Sequence, residues 1–128
     1  MNAVIHWRRS ASIALLLLTA GAFLAHRSMG DPSQTAITGE LVETYCWGKV
    51  RVGGPAHAQC AIQCAKRGIP VAVIDEKTRK DFVLLPGKHE ATLSPKLIAA
   101  MGKKVTIRGE LVKRGQNYYL TADSWTVK

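Results

Sequence analysis

The sequence predicts a mainly β (α+β) domain. Five strands are expected, with one helix inserted between the first and second and a short one between the third and fourth. Three observations carry this. In three separate stretches β-branched and aromatic residues alternate with polar ones, the period of two that marks half-buried strands. One Ala-rich stretch, "PAHAQCAIQCAKR", runs unbroken from a proline to a glycine, as a helix does. About a hundred of the 128 residues follow an N-terminal apolar run, enough for one small domain with one core.

The elements follow in order. "ITGELVETYCW", residues 37–47, reads as the first strand, with Ile37, Gly39, Leu41, Glu43 and Tyr45 on one face and Thr38, Glu40, Val42, Thr44 and Cys46 on the other. Gly39 marks a bulge or kink. "GKVRVGGP" is a loop, and its Pro55 suits the first helical position because the N–H it lacks would be unpaired there. The helix runs from Pro55 to Arg67. Gly68 ends it, and Lys66 and Arg67 complement the dipole in its last turn. Ile69–Ile74 and Phe82–Leu85 flank a charged Asp-Glu-Lys-Thr turn and read as a hairpin. Ser94 is an N-cap, Pro95 opens a short helix and Gly102 closes it. "KKVTIRGELVKRG" and "QNYYLTADSWTVK" form the last pair of strands, with Val105, Ile107, Gly109 and Leu111 on one face.

Strand, helix, hairpin, short helix and two strands is the order of an OB-like fold, a five-stranded, partly open Greek-key barrel. The likeness covers about residues 36–127, and "VTIRGELVKRGQNYYLTADS" resembles a fourth-to-fifth strand passage of that fold. Another five-stranded α+β topology is the alternative.

The N-terminus reads differently. Arg8 and Arg9 precede an uncharged, mostly apolar run from Ser10 to Ala25. That is a signal peptide by pattern, shorter than the roughly 20 residues of a spanning helix. Ala20-Gly21-Ala22 and Ser28-Met29-Gly30 are the candidate cleavage sites. The expected organisation is residues 1–30 as signal peptide or N-terminal membrane anchor, 31–36 as linker, and 37–128 as the OB-like domain. Location in the periplasm or cell envelope follows, tethered to the inner membrane if the helix stays uncleaved.

Setting aside Arg8, Arg9 and Arg27, fifteen Lys/Arg face nine Asp/Glu. Inside a cell such a balance would suggest nucleic acid. For an exported domain, an anionic membrane surface or an envelope protein complex is the expected partner, and nucleic acid is not. The charges are scattered, as on a solvated basic surface. Tyr45, Trp47, Tyr118, Tyr119 and Trp125 could supply rings for stacking, but the consecutive Tyr118 and Tyr119 point to opposite faces.

All three cysteines and one of four histidines lie between Thr44 and Val71. On a helix, His57, Cys60 and Cys64 fall at i, i+3 and i+7, within one arc. Cys46 ends the preceding strand, on a chain that must return to start this helix. Three thiolates and an imidazole suit tetrahedral Zn²⁺, and the same donors hold Cu(I). His57 in the first helical turn meets a dipole that favours the neutral ring a metal needs. A thiol–disulfide reading uses the same residues. A Cys46–Cys60 or Cys46–Cys64 bridge is easier than Cys60–Cys64, whose Cβ directions on one helix suit a disulfide poorly. Burial of the cysteines as small hydrophobes is the third reading.

No C-x-x-C-H is present, so c-type haem is not expected. His89 is expected to face solvent. No H-E-x-x-H, G-x-S-x-G or phosphate-binding glycine loop occurs.

The Cys-Trp-Gly at residues 46–48, the Pro-x-His-x-x-Cys-Ala-x-x-Cys of residues 55–64 and the Gly-Ile-Pro-Val exit at 68–71 together resemble a small exported bacterial OB-fold-like domain with a Cys/His-bearing helix. The resemblance implies a real module and carries no catalytic residues with it. The expected function is metal binding in the cell envelope through Cys46, His57, Cys60 and Cys64. The alternatives are a thiol–disulfide protein or a non-catalytic accessory subunit of an envelope complex.

Overall fold

The computed structural model describes residues 34–128. The expected signal or anchor lies outside the described residues. Among the described residues no helix is long and apolar enough to cross a membrane.

Six strands form one sheet: β1 (Gln34–Glu43), β2 (Val71–Asp75), β3 (Asp81–Pro86), β4 (Lys104–Arg114), β5 (Asn117–Ala122) and β6 (Ser124–Val127). The order is β1-β2-β3-β5-β4-β6, and a further β1–β4 pairing closes the first five into a barrel. All pairings are antiparallel except β3–β5. This is the OB-like, mainly β (α+β) architecture that the element order predicts.

Barrel closure depends on two strands that change partners midway. β1 pairs with β4 over residues 34–40 and with β2 over 39–43. The crossover falls at Gly39, where a Cβ would stand 1.8 Å from the Ile74 carbonyl oxygen. On β4, residues 105–108 pair with β6 and 111–114 with β5. Gly109 sits between, with a Cβ position 1.8 Å from the Thr121 carbonyl oxygen. Only a residue without a side chain lets two backbones approach so closely.

The core is one apolar cluster that includes Leu41, Val73, Phe82, Leu84, Val105, Ile107 and Leu120 from the strands. The short helix α3 (Pro95–Ile98) and the turn after it add Leu97, Ala100 and Met101. Ser94 caps α3 by accepting from the Lys96 N–H at 3.3 Å. Val42, Ala72 and Ile74 face the other side of β1–β2, where Trp47 packs on them.

Three features depart from the expected elements. β1 starts at Gln34 and so takes in residues 34–36 of the expected linker, which pair with Glu110, Gly109 and Arg108. The last strand is broken at Asp123 into β5 and β6, where its register against β4 shifts by one residue, as at a β-bulge. The third departure is the end of β1. The strand stops at Glu43, and Thr44–Val50 is a helix, α1. Beyond it a 3₁₀ turn (Pro55–His57) leads into α2 (Ala58–Lys66).

Candidate metal centre

Thr44, Tyr45 and Trp47 have strand propensity, yet they sit in α1. The cause is Glu43, which is buried (1 % exposed). Its two carboxylate oxygens accept the N–H groups of Tyr45 and Cys46, both at 2.8 Å. These are orphan donors of a helix start, and the carboxylate also complements the positive end of the helix. Glu43 is the N-cap, and extended backbone at its own position lets the chain turn out of the sheet. Cys46 is thereby placed in the first turn of α1 rather than at a strand end.

Arg51 then takes a left-handed conformation and closes α1, its N–H bonded to the Trp47 carbonyl at 3.1 Å. The following loop is tied to the barrel at Gly54, whose N–H donates to the Glu40 carboxylate. Gly102, with φ +73, lies under the loop, and a Cβ there would come within 2.5 Å of the Gly54 carbonyl oxygen. That carbonyl accepts the His57 N–H at 3.1 Å. His57 ends the 3₁₀ turn and serves as the residue before α2. A narrow crevice lined by Leu41, Glu43, Gly53, Gly54, Ala61 and Gly102 receives the imidazole. Its Nε2 is buried with no hydrogen-bond partner. The nearest anionic atom is Glu43 Oε1 at 3.8 Å.

α2 packs Ala61 into the core and turns Cys60 outward. Donor atoms of Cys46, His57 and Cys60 all lie within 4.8 Å of one another. Cys46 therefore faces the helix, as a shared site requires. Cys64, one turn further along α2 and half-buried, stands outside this group of three. All three cysteines are free thiols. His89, on the far loop, is exposed.

The electrostatics are those of a closely packed acidic and thiol cluster. The hydrogen bond to Glu43 pushes the Cys46 thiol up to about 11, helped by burial, the Glu43 charge, and Cys60 and Cys64. Burial and then Cys60 push the Cys64 thiol up as well. Burial alone would raise the Glu43 carboxyl. Hydrogen bonds from the Cys46 thiol and from the Cys46 and Tyr45 N–H groups, with the His57 charge, outweigh it, and the net displacement is downward. The Cys46 and Cys64 thiols lose their protons reluctantly in the absence of a cation. A metal ion reverses that logic, because it binds the thiolate directly.

No protein family, curated protein or solved structure matches the chain.

The donor set fits a metal ion. Two sulfurs and an imidazole nitrogen are soft to borderline ligands. A buried imidazole nitrogen left unpaired costs about 1–3 kcal/mol, and a ligated ring with its second nitrogen turned to a carboxylate removes that cost. Glu43 was not among the residues singled out from sequence. The available signal was an acidic residue on the inward face of β1, in phase with Ile37 and Leu41.

Away from this centre, Trp47 and Tyr118 line an open cleft of about 360 Å³ with Arg79, Lys80, Asp81 and Asn117. The guanidinium groups of Arg51 and Arg79 stand 5.3 and 5.8 Å from the Trp47 ring. Lys80 and Lys113 stand 5.0 and 5.5 Å from that of Tyr118.

Proposed function

We propose that this is an exported cell-envelope protein that binds a single soft or borderline metal ion, Zn²⁺ or Cu(I), through Cys46, His57 and Cys60. The observation that carries the reading is the convergence of those three donors from α1, the 3₁₀ turn and α2. Cys64, beside Cys60, is the sulfur available to complete a tetrahedral Zn²⁺ site, whereas Cu(I) is content with three soft donors. Glu43 acts through others: it caps the helix that carries Cys46 and faces the second nitrogen of His57. Export is supported by Arg8-Arg9 and the apolar run after it. The cations gathered around Trp47 and Tyr118 support an anionic partner, either an envelope protein complex or a membrane surface.

The test is metal content and thiol count on the full chain, purified reduced and without chelators, then titration with Zn²⁺ and with Cu(I). One tightly held equivalent, lost in His57→Ala and in Cys60→Ser, supports the reading. Three titratable thiols and no retained metal of either kind would refute it.

A further inference from the structure

We infer that the metal centre is also a redox switch, in which oxidation joins Cys46 to Cys60 and expels the ion. This rests on the metal-binding reading above and adds its regulation. The geometry is the starting point. The sulfurs of Cys46 and Cys60 lie within 4.8 Å of each other. Two sulfurs on one Zn²⁺, each bonded at about 2.3 Å, stand about 3.8 Å apart. A disulfide needs about 2.05 Å. One approach vector therefore leads from the metal-bound pair to the bridge, with the ion necessarily displaced.

Access is the second element. Cys60 is exposed while Cys46 is half-buried. An incoming disulfide meets Cys60 first, and Cys46 is in place to resolve the adduct. The alternative bridge, Cys60–Cys64, joins two residues four apart on α2, where the Cβ directions oppose closure. Cys46 sits on the separate helix α1, so its bridge to Cys60 demands no distortion within one helix.

The chemistry balances with a disulfide as oxidant, either a small molecule or a protein. The Cys60 thiolate attacks one sulfur of the oxidant and displaces the first thiolate, leaving a mixed disulfide. The Cys46 thiolate attacks the Cys60 sulfur and displaces the second. One S–S bond breaks and one forms, two electrons pass from the two protein thiolates to the oxidant, and Zn²⁺ leaves without changing its oxidation state. His57 and Cys64 are then the only protein donors left, short of the three or four that a Zn²⁺ site uses. Reduction restores both ligands and the site reloads.

The experiment uses the full chain loaded with Zn²⁺ and treated with glutathione disulfide. Released Zn²⁺ is followed with a chromogenic chelator, and the bridge is mapped by mass spectrometry of unreduced peptides. The expected result is one Zn²⁺ released per Cys46–Cys60 bridge and full reloading after reduction. Retention of Zn²⁺ under oxidation, or release that accompanies a Cys60–Cys64 bridge, overturns the switch while leaving the metal site standing. A reduced chain that takes up no Zn²⁺ overturns both.

Discussion

Glu43→Ala is the most informative single change, because one buried side chain shapes both α1 and the metal centre. The substitution removes two N–H···O bonds of 2.8 Å to the backbone of Tyr45 and Cys46. Loss of an N-cap costs about 0.5–2 kcal/mol, and each donor left buried without a partner costs about 1–3 kcal/mol. Water reaches α1 in part, since Tyr45 is exposed, so a total of about 2–4 kcal/mol is expected. Glu43→Gln keeps one acceptor oxygen and should lose about half as much, roughly 1–2 kcal/mol. The assay is urea unfolding of the metal-free chain followed by tryptophan fluorescence. With a slope of about 1–2 kcal/mol/M, the Ala variant's midpoint falls by about 1–4 M. The pH dependence has a definite sign. The Glu43 carboxyl is displaced downward in the fold, so its contribution is complete above the ordinary carboxylate range and fades as pH falls through the depressed value. The difference between wild type and Glu43→Gln should therefore shrink in acid. Equal stability of the Ala variant and wild type, or a Gln variant as damaged as Ala, would refute the capping role.

Three further outcomes follow from the same geometry. Cys64→Ser should weaken Zn²⁺ binding by about tenfold or more, roughly 1.4 kcal/mol, and leave Cu(I) binding nearly unchanged, while Cys46→Ser impairs both; competition titrations read the two metals separately. With the Cys46 thiol near 11, iodoacetamide at pH 8 should modify exposed Cys60 well before Cys46, and Zn²⁺ affinity should rise with pH as protons leave the thiols; peptide mapping showing Cys46 modified first would contradict this. Gly102→Ala forces a side chain into left-handed backbone, about 1–2 kcal/mol, and drives its Cβ toward the Gly54 carbonyl. It should lower both thermal stability and metal affinity, since Gly54 positions His57.

Much of this was legible in the residues, and the exceptions have physical causes. The barrel order, the Gly39 corner, a helical segment that opens at Pro55 and ends before Gly68, and the convergence of Cys46 with His57 and Cys60 all follow from local chemistry and phase. The helix α1 was hidden because "TYCWG" has strand-like residues, and the feature that overrides them is a side chain. Glu is an uncommon N-cap, and only its burial shows that it serves as one. Glu43's place opposite His57 depends on the loop held by Glu40 and Gly102, contacts far apart in sequence. The break at Asp123 was hidden for a similar reason: it is one extra residue in the pairing with β4, and no local turn signal marks it. The His57, Cys60 and Cys64 phase also needed the whole segment to be α-helical. Because Pro55–His57 is a 3₁₀ turn, His57 does not keep the α-helical phase with Cys60 and Cys64, which both lie on α2.

The central claim is met most directly by X-ray absorption at the zinc edge of the reduced, Zn²⁺-loaded full chain. Two or three sulfurs at about 2.3 Å and one imidazole nitrogen at about 2.0–2.1 Å are expected, with the nitrogen signature lost in His57→Ala. A shell of oxygen and nitrogen alone, unchanged in Cys46→Ser and Cys60→Ser, would contradict it.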